Sequence, residues 1–294
     1  MLSILIPAYN YNVVPLVLEL QKQGLECNIN FEILVFDDGS KLFLDENQKI
    51  NSLENCRFSK NISNLGRGKN INFLAESAQF EWLLIMDCDT FPTQNNFIQN
   101  YISKISEGAK AFFGGIKYKK EQPNRDQMLR WIYGHARESL SIEKRKTNPN
   151  GNALTSNLLI QKNVFLSNPF SQSITKYGYE DLVFLSELKK KGVIVQHIDN
   201  PTYHLGLETS RQFLDKTKIA LENLKSIVEN NPSAISESKI LKIYNLLNTF
   251  YLASFISYLF QKTERKMEDN LLSPKPSLLL FDLYKLGYFC SLKN

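Results

Sequence analysis

The chain has only four cysteines, Cys27, Cys56, Cys88 and Cys290, and no two stand at a CxxC or zinc-binding spacing. That excludes a zinc site or disulfide framework and implies free thiols in a reducing compartment. A large excess of either charge is missing too. A net charge of +5 is too small for a nucleic-acid footprint, so no nucleic-acid partner is expected. The basic excess is uneven: from Lys239 onward eight Lys/Arg face four Asp/Glu. Such a tail suits an anionic surface, or is simply a solvated charged face. The opening "MLSILIPAYN" lacks the basic flank and apolar length of a signal peptide, so it reads as a first strand in a cytoplasmic protein. An uninterrupted membrane span is also lacking. Between Lys242 and Lys262 lie 19 uncharged residues, but Asn245, Asn248, Thr249, Ser254 and Ser257 interrupt them. A helix packed on the main domain, or lying peripherally on the inner face of the membrane, fits that pattern better. No internal repeat and no low-complexity segment occurs.

What is present is an ordinary globular composition, 43% hydrophobic and 22% charged, over 294 residues. Residues 2–6 and 31–36 and the stretch "EWLLIMDCDT" are near-continuous apolar strands separated by helical patterns. That alternation predicts an α/β fold, a mostly parallel sheet with helices on both faces. Further on, "AFFGGIKYK", "ALTSNLLIQ" and "VIVQHI" read as strands and "NPTYHLG" as a loop. Residues 125–146 read as one long charged helix, and residues 179–192 and 211–229 as helices. A helical, aromatic-rich C-terminal extension follows.

In parallel sheets ligands bind beyond the carboxyl ends of strands. Both "DDGS" (37–40) and "DCDT" (87–90) sit at such ends. The D-x-D spacing puts Asp87 and Asp89 on one side of the chain. Carboxylates held so close are costly unless a cation relieves them. Their oxygens suit Mg²⁺ or Mn²⁺, and a hard ion left partly open to ligands is a diphosphate-binding device. For a single Asp a cap or turn role would be the better reading. Three at adjacent strand ends, Asp38 included, favour the metal.

"LSILIPAYN", "EILVFDDGS", "NLGRGKN" and "IMDCDT", in that order and spacing, resemble the nucleotide-sugar half of family 2 glycosyltransferases with a GT-A, Rossmann-like fold. "YGYEDLVFLSELKKKG" resembles their acceptor-side ED motif. "NPTYHLGLE" resembles a galactosyltransferase-like bacterial subgroup concerned with surface polysaccharides. The resemblance covers residues 1–210. It implies a nucleotide-sugar half (1–90), an acceptor half (91–210) and a separate extension (211–294). The implied activity is inverting, metal-dependent transfer from a nucleotide sugar, UDP-linked by preference, to a glycan or lipid-linked acceptor.

The resemblance also implies residue roles. Pro7, Ala8 and Tyr9 would line the base and ribose pocket, with Asp38 accepting from the uracil N3–H and Asp37 supporting the turn or the ribose. Asn64, Gly66 and either Arg67 or Lys69 would serve the donor, although the loop is shorter than the family's usual motif. Asp89 would be the principal metal ligand, Asp87 would contact ribose or metal, and His204 would be a third ligand. Asp181 would be the general base, its pKa raised by Glu180 beside it. Tyr177, Tyr179, Trp131 and Glu180 would face the acceptor. Cys88 and His197 read as structural. Two other classes stay open: a catalytically silent sugar-nucleotide-binding module, and a nucleotidylyltransferase. The latter would want a glycine-rich, cation-bearing loop after the first strand, which "PAYNYNVV" is not.

Overall fold

All seven residues of β1 (Leu2–Ala8) are buried, and successive side chains enter two different cores. Leu2, Ile4 and Ile6 join one and Leu5 the other. A strand apolar on both sides belongs in mid-sheet, with helices above and below. The structure, a computed structural model, describes residues 1–174, 176–230 and 238–292. After β1 come α1 (Val14–Glu26), β2 (Phe31–Asp37), α2 (Leu44–Gln48), β3 (Cys56–Lys60), α3 (Arg67–Ser77), β4 (Trp82–Met86) and β5 (Thr90–Pro92). The middle holds α4 (Phe97–Ile102), β6 (Ala111–Phe113), β7 (Ile116–Lys117), α5 (Met128–Tyr133), α6 (Ile142–Lys146), β8 (Asn157–Gln161), α7 (Lys162–Leu166), α8 (Glu180–Lys190), β9 (Gln196–His197) and β10 (Thr202–His204). The chain closes with α9 (Ser210–Asn230), α10 (Lys239–Thr249), α11 (Ala253–Leu271) and α12 (Leu278–Ser291).

Seven strands form one sheet in the order β3-β2-β1-β4-β8-β6-β9. β1 runs parallel to β2, in register from Leu2↔Phe31 to Ala8↔Asp37, and parallel to β4. β8 is antiparallel to both β4 and β6. Leu16, Val17 and Leu20 of α1 cover one face, while Ile71 and Leu74 of α3, Phe165 of α7 and Leu188 of α8 cover the other. This is the expected mostly parallel sheet, and it is the GT-A, Rossmann-like arrangement.

Three segments differ from the sequence reading. "AFFGGIKYK" is not one strand: β6 stays in the large sheet, while β7 joins a second sheet in the order β5-β10-β7. The break is at Gly114 and Gly115. A Cβ on Gly114 would sit 2.2 Å from Asn200 O, and Gly115 has φ +100. Residues 125–146 form no single helix. α5 passes into a π-helical turn (Gly134–Glu138), and α6 restarts after Ser141, whose side chain accepts from Lys144 N. Gly134 lies against the Tyr118 ring, where no Cβ fits. "NPTYHLG" contains β10, antiparallel to β5 with His204 opposite Thr90. A three-residue strand needs two waiting partners, which its own sequence cannot announce.

The C-terminal helices pack onto the sheet domain through two apolar clusters. In one, Val183 of α8 meets Leu221, Leu224, Ile227, Leu241 and Phe289. In the other, Leu129 of α5 meets Leu214, Phe260, Met267, Leu271, Phe281 and Tyr284. Residues 231–237 and 293–294 of the extension lie outside the described residues. Among the described residues no helix is long and apolar enough to cross a membrane.

Candidate active site

A cavity of about 380 Å³ opens at the carboxyl ends of β1, β2 and β4. Pro7, Ala8 and Tyr9 continue β1 into it, Asn64, Gly66 and Arg67 come from the loop before α3, and Asp87 and Asp89 follow β4. Tyr177 and Glu180 close the opposite side. Residues predicted for donor and acceptor thus share one space.

At the end of β2, Asp37 Oδ1 accepts from Ser40 N at 2.8 Å. Asp38 lines the cavity but is only 4% exposed. Its carboxylate accepts from Leu65 N and Gly66 N, both at 2.9 Å, and from Asn61 Nδ2 at 3.1 Å. Asp38 therefore folds the glycine loop onto the strand end. About one of its four acceptor directions is left for a ligand.

Arg67 is the hub. Its Nε donates to Asp87 Oδ1 at 2.8 Å, and its Nη1 donates to Asp181 Oδ1 and Thr155 Oγ1, both at 2.9 Å. Thr155 in turn donates its hydroxyl to Asp181 Oδ1 at 2.5 Å. Arg67 is thereby held firmly protonated by Asp87 and Asp181 in spite of burial. Burial pushes the Asp87 carboxyl up from its ordinary range, with Arg67 opposing. Lys69, the other cation predicted for the donor, sits on α3 outside the cavity lining.

Asp89 is differently placed. Burial raises its pKa, and no lysine or arginine forms an ion pair with it among the described residues. Its nearest partner is His204, with Nε2 3.4 Å from Oδ2. The β5–β10 pairing makes that contact, and Leu205 N donates to Asp89 O at 2.8 Å. Gly206 completes it, since a Cβ there would stand 2.2 Å from Asp89 Oδ2. The His204 ring stacks on Tyr118, with centroids 5.4 Å apart. Burial, then the Arg130 charge, pushes its pKa down to about 4, so the imidazole is neutral at pH 7. A half-buried carboxylate with no hydrogen-bonded cation, beside a neutral imidazole, fits a divalent cation. Among the described residues no group of three His, Cys, Asp or Glu is placed to hold a metal ion, so an ion at Asp89 and His204 would need further ligands from outside the protein.

Glu180 and Asp181 open α8, but only Glu180 lines the cavity. Burial, then the Asp181 charge, raises the Glu180 pKa, and its Oε2 is buried with no hydrogen-bond partner. Asp181 lies just behind, held by Arg67 and Thr155. Two of the predicted acceptor residues lie elsewhere. Tyr179 has φ +66 and packs against the cluster that includes Val183 and Leu221. Trp131 donates Nε1 to Lys119 O at 2.9 Å and meets His135 edge-on. The cavity also has members to which the sequence assigns no site role, among them Cys88, which reads there as structural. Cys88 lines it while packing on the core, and burial pushes its thiol up. Lys216 reaches it from α9, over the Tyr177 ring at 5.2 Å and paired with Glu208. Nothing in the motif pattern marks Thr155 or Lys216, because their roles depend on elements far away in the chain.

A family model described as glycosyl transferase family 2 matches residues 3–166. Among solved structures, the mannosyltransferase PcManGT from Pyrobaculum calidifontis, in complex with GDP-Man and Mn²⁺, is 12% identical, with a TM-score of 0.55. That match covers 100% of this chain and 81% of that one. Glucosyl-3-phosphoglycerate synthase from Mycobacterium tuberculosis, in complex with Mn²⁺, UDP and glucosyl-3-phosphoglycerate, is 14% identical, with a TM-score of 0.53 over 77% of this chain and 79% of that one. At such identities the likeness is one of fold.

Proposed function

The chain belongs to glycosyl transferase family 2, and from that premise we propose that it moves a sugar from a UDP-sugar to a carbohydrate or lipid-linked acceptor with inversion at the anomeric carbon. The observation that carries this reading is the Arg67 bridge. One guanidinium joins Asp87 beyond β4 to Asp181 at the start of α8, so a single cavity-lining side chain ties the donor-side acid to the acceptor-side acid just behind the cavity wall. Tyr9 and the Asp38-bound loop would hold the nucleotide, with the free acceptor direction of Asp38 turned to the uracil N3–H.

Asp89 and His204, with Asp87 beside them, would hold Mn²⁺ or Mg²⁺. A bound divalent ion would stabilise charge on the departing diphosphate. Arg67, which lines the same cavity, would exchange its carboxylate partners for that diphosphate. Asp181, released by the exchange, takes the acceptor hydroxyl proton while that oxygen attacks the anomeric carbon. A second reading gives the proton to Glu180, favoured by its unpartnered buried Oε2 and raised pKa. In either case the bond to the acceptor oxygen forms as the bond to the diphosphate oxygen breaks, with no covalent glycosyl-enzyme. Membership of this family displaces the nucleotidylyltransferase alternative.

The test is a donor screen read by UDP release, run with and without acceptor, with Mn²⁺ and with chelator. Acceptor-stimulated, chelator-sensitive release from a UDP-sugar is the expected result. Release from GDP-sugars alone would overturn the donor assignment, and no release from any donor would leave a sugar-nucleotide-binding module.

A further inference from the structure

We propose that the corner between α10 and α11 is a membrane-docking tip that enters the headgroup region of an anionic bilayer. Between Leu241 and Phe260 no residue is buried. Yet this stretch carries Ile243, Leu246, Phe250, Tyr251, Phe255 and Leu259, with exposures from 42% to 91%. Ile243, Leu246 and Phe250 recur at helical spacing on one stripe, and Phe255 and Leu259 do so on α11. Tyr251, the most exposed of them, turns the chain between the two helices with φ +56. A contiguous apolar projection of this kind marks an interaction surface.

Charge selects the occupant. From Lys239 to Thr263 there is no Asp or Glu. Lys239, Lys262, Arg265 and Lys266 are exposed at the base of the tip. Lys262 Nζ stands 5.6 Å from the centroid of Tyr258, so cation and aromatic sit together at one level. Aromatic rings at the headgroup boundary with lysines on anionic headgroups is the balance an interfacial helix needs. A second copy docked tip to tip would set two basic rims against each other. No described helix can span a bilayer, so entry is interfacial. The inference stands on this face alone and is independent of the donor, metal and base roles.

The test is flotation of the full chain with vesicles of phosphatidylcholine, alone or mixed with phosphatidylglycerol. Binding to the mixed vesicles and its release by salt are expected. The variant Phe250→Ser/Tyr251→Ser/Phe255→Ser should lose about tenfold or more in partition, since each ring removed from water is worth roughly that factor. Its melting temperature should stay unchanged, because the three side chains have no core contacts. Lys262→Glu/Arg265→Glu/Lys266→Glu should abolish the preference for phosphatidylglycerol while leaving UDP release intact. Three results would each overturn the proposal: no binding to either vesicle, binding that neither variant weakens, or a concentration-dependent dimer that the aromatic variant dissociates without any vesicle binding.

Discussion

The ends of β2 and β4 look alike in sequence, each an apolar strand running into paired carboxylates, but only the cavity-facing carboxylate of β2, Asp38, is supplied with backbone donors. At β2 the protein supplies the donors itself. Ser40 N answers Asp37 Oδ1, leaving its buried Oδ2 without a partner, while Leu65 N, Gly66 N and Asn61 Nδ2 answer Asp38. At β4 the supply stops halfway. Asp87 has Arg67, but Asp89 pairs directly only with the neutral His204 and feels Arg130 and Arg67 at a distance, and burial raises both carboxyls. A carboxylate whose acceptor directions are filled by backbone N–H groups is part of the fold. One that is buried and uncompensated costs stability until a ligand arrives. Counting donors separates the two roles where the motif alone does not.

The sharpest way to break this contrast is Asp89→Ala. Turnover should vanish, as it should on adding chelator to the wild type. The melting temperature should hold or rise, since a partly desolvated carboxylate with no direct ion pair is removed. A clear fall in melting temperature would show that Asp89 is as structural as Asp38.

The next largest effect is expected at the start of α8. Asp181→Asn should lower kcat by about 10²–10⁴, the usual worth of a positioned base, with donor affinity little changed. Glu180→Gln is the companion measurement. If it costs more than Asp181→Asn, the proton goes to the partner-free Glu180 Oε2, and Asp181 serves to hold Arg67.

Much of this was legible beforehand. The buried strands announced themselves by unbroken apolar runs, and "DDGS", "NLGRG" and "DCDT" do come together at strand ends. What the sequence concealed was tertiary. The Asp38 bonds to the glycine loop span 27 and 28 residues, and the Arg67–Asp181 pair spans 114. β10 exists because β5 and β7 offer it edges, and that pairing is what puts His204 against Asp89. The helix expected over residues 125–146 failed where Gly134 had to pass the Tyr118 ring, a contact invisible to periodicity. Tyr179 looked like an acceptor platform, but a helix from the far end of the chain covers it.

A smaller effect tests the completed side. Asp38→Ala leaves Leu65 N and Gly66 N without their acceptor, at a cost of about 1–3 kcal/mol. Unlike Asp89→Ala it should lower the melting temperature, by roughly 2–4 °C per kcal/mol lost. UDP binding measured by calorimetry should weaken as well, because the loop that lines the cavity loses its anchor. Unchanged stability together with weakened UDP binding would make Asp38 a ligand residue first.

The smallest effect concerns another completed carboxylate, far from the cavity. Glu268 on α11 accepts from Tyr284 Oη at 2.7 Å, Lys218 Nζ at 2.9 Å and Arg211 Nη1 at 2.9 Å, tying α9, α11 and α12 together. Burial alone would raise its pKa, but those hydrogen bonds bring it down to about 2. A folded pKa below the unfolded value means that this carboxylate stabilises the fold above pH about 4.5 and loses that contribution as pH falls toward 2. Arg211 is half exposed, so solvent screening limits the contribution to about 1 kcal/mol. Glu268→Gln should therefore melt a few degrees below wild type at pH 7. The gap should narrow in high salt and close as the pH drops through that window. A gap constant with pH would assign the loss to packing of the helices rather than to the charge, and would set Glu268 apart from the finished carboxylate Asp38.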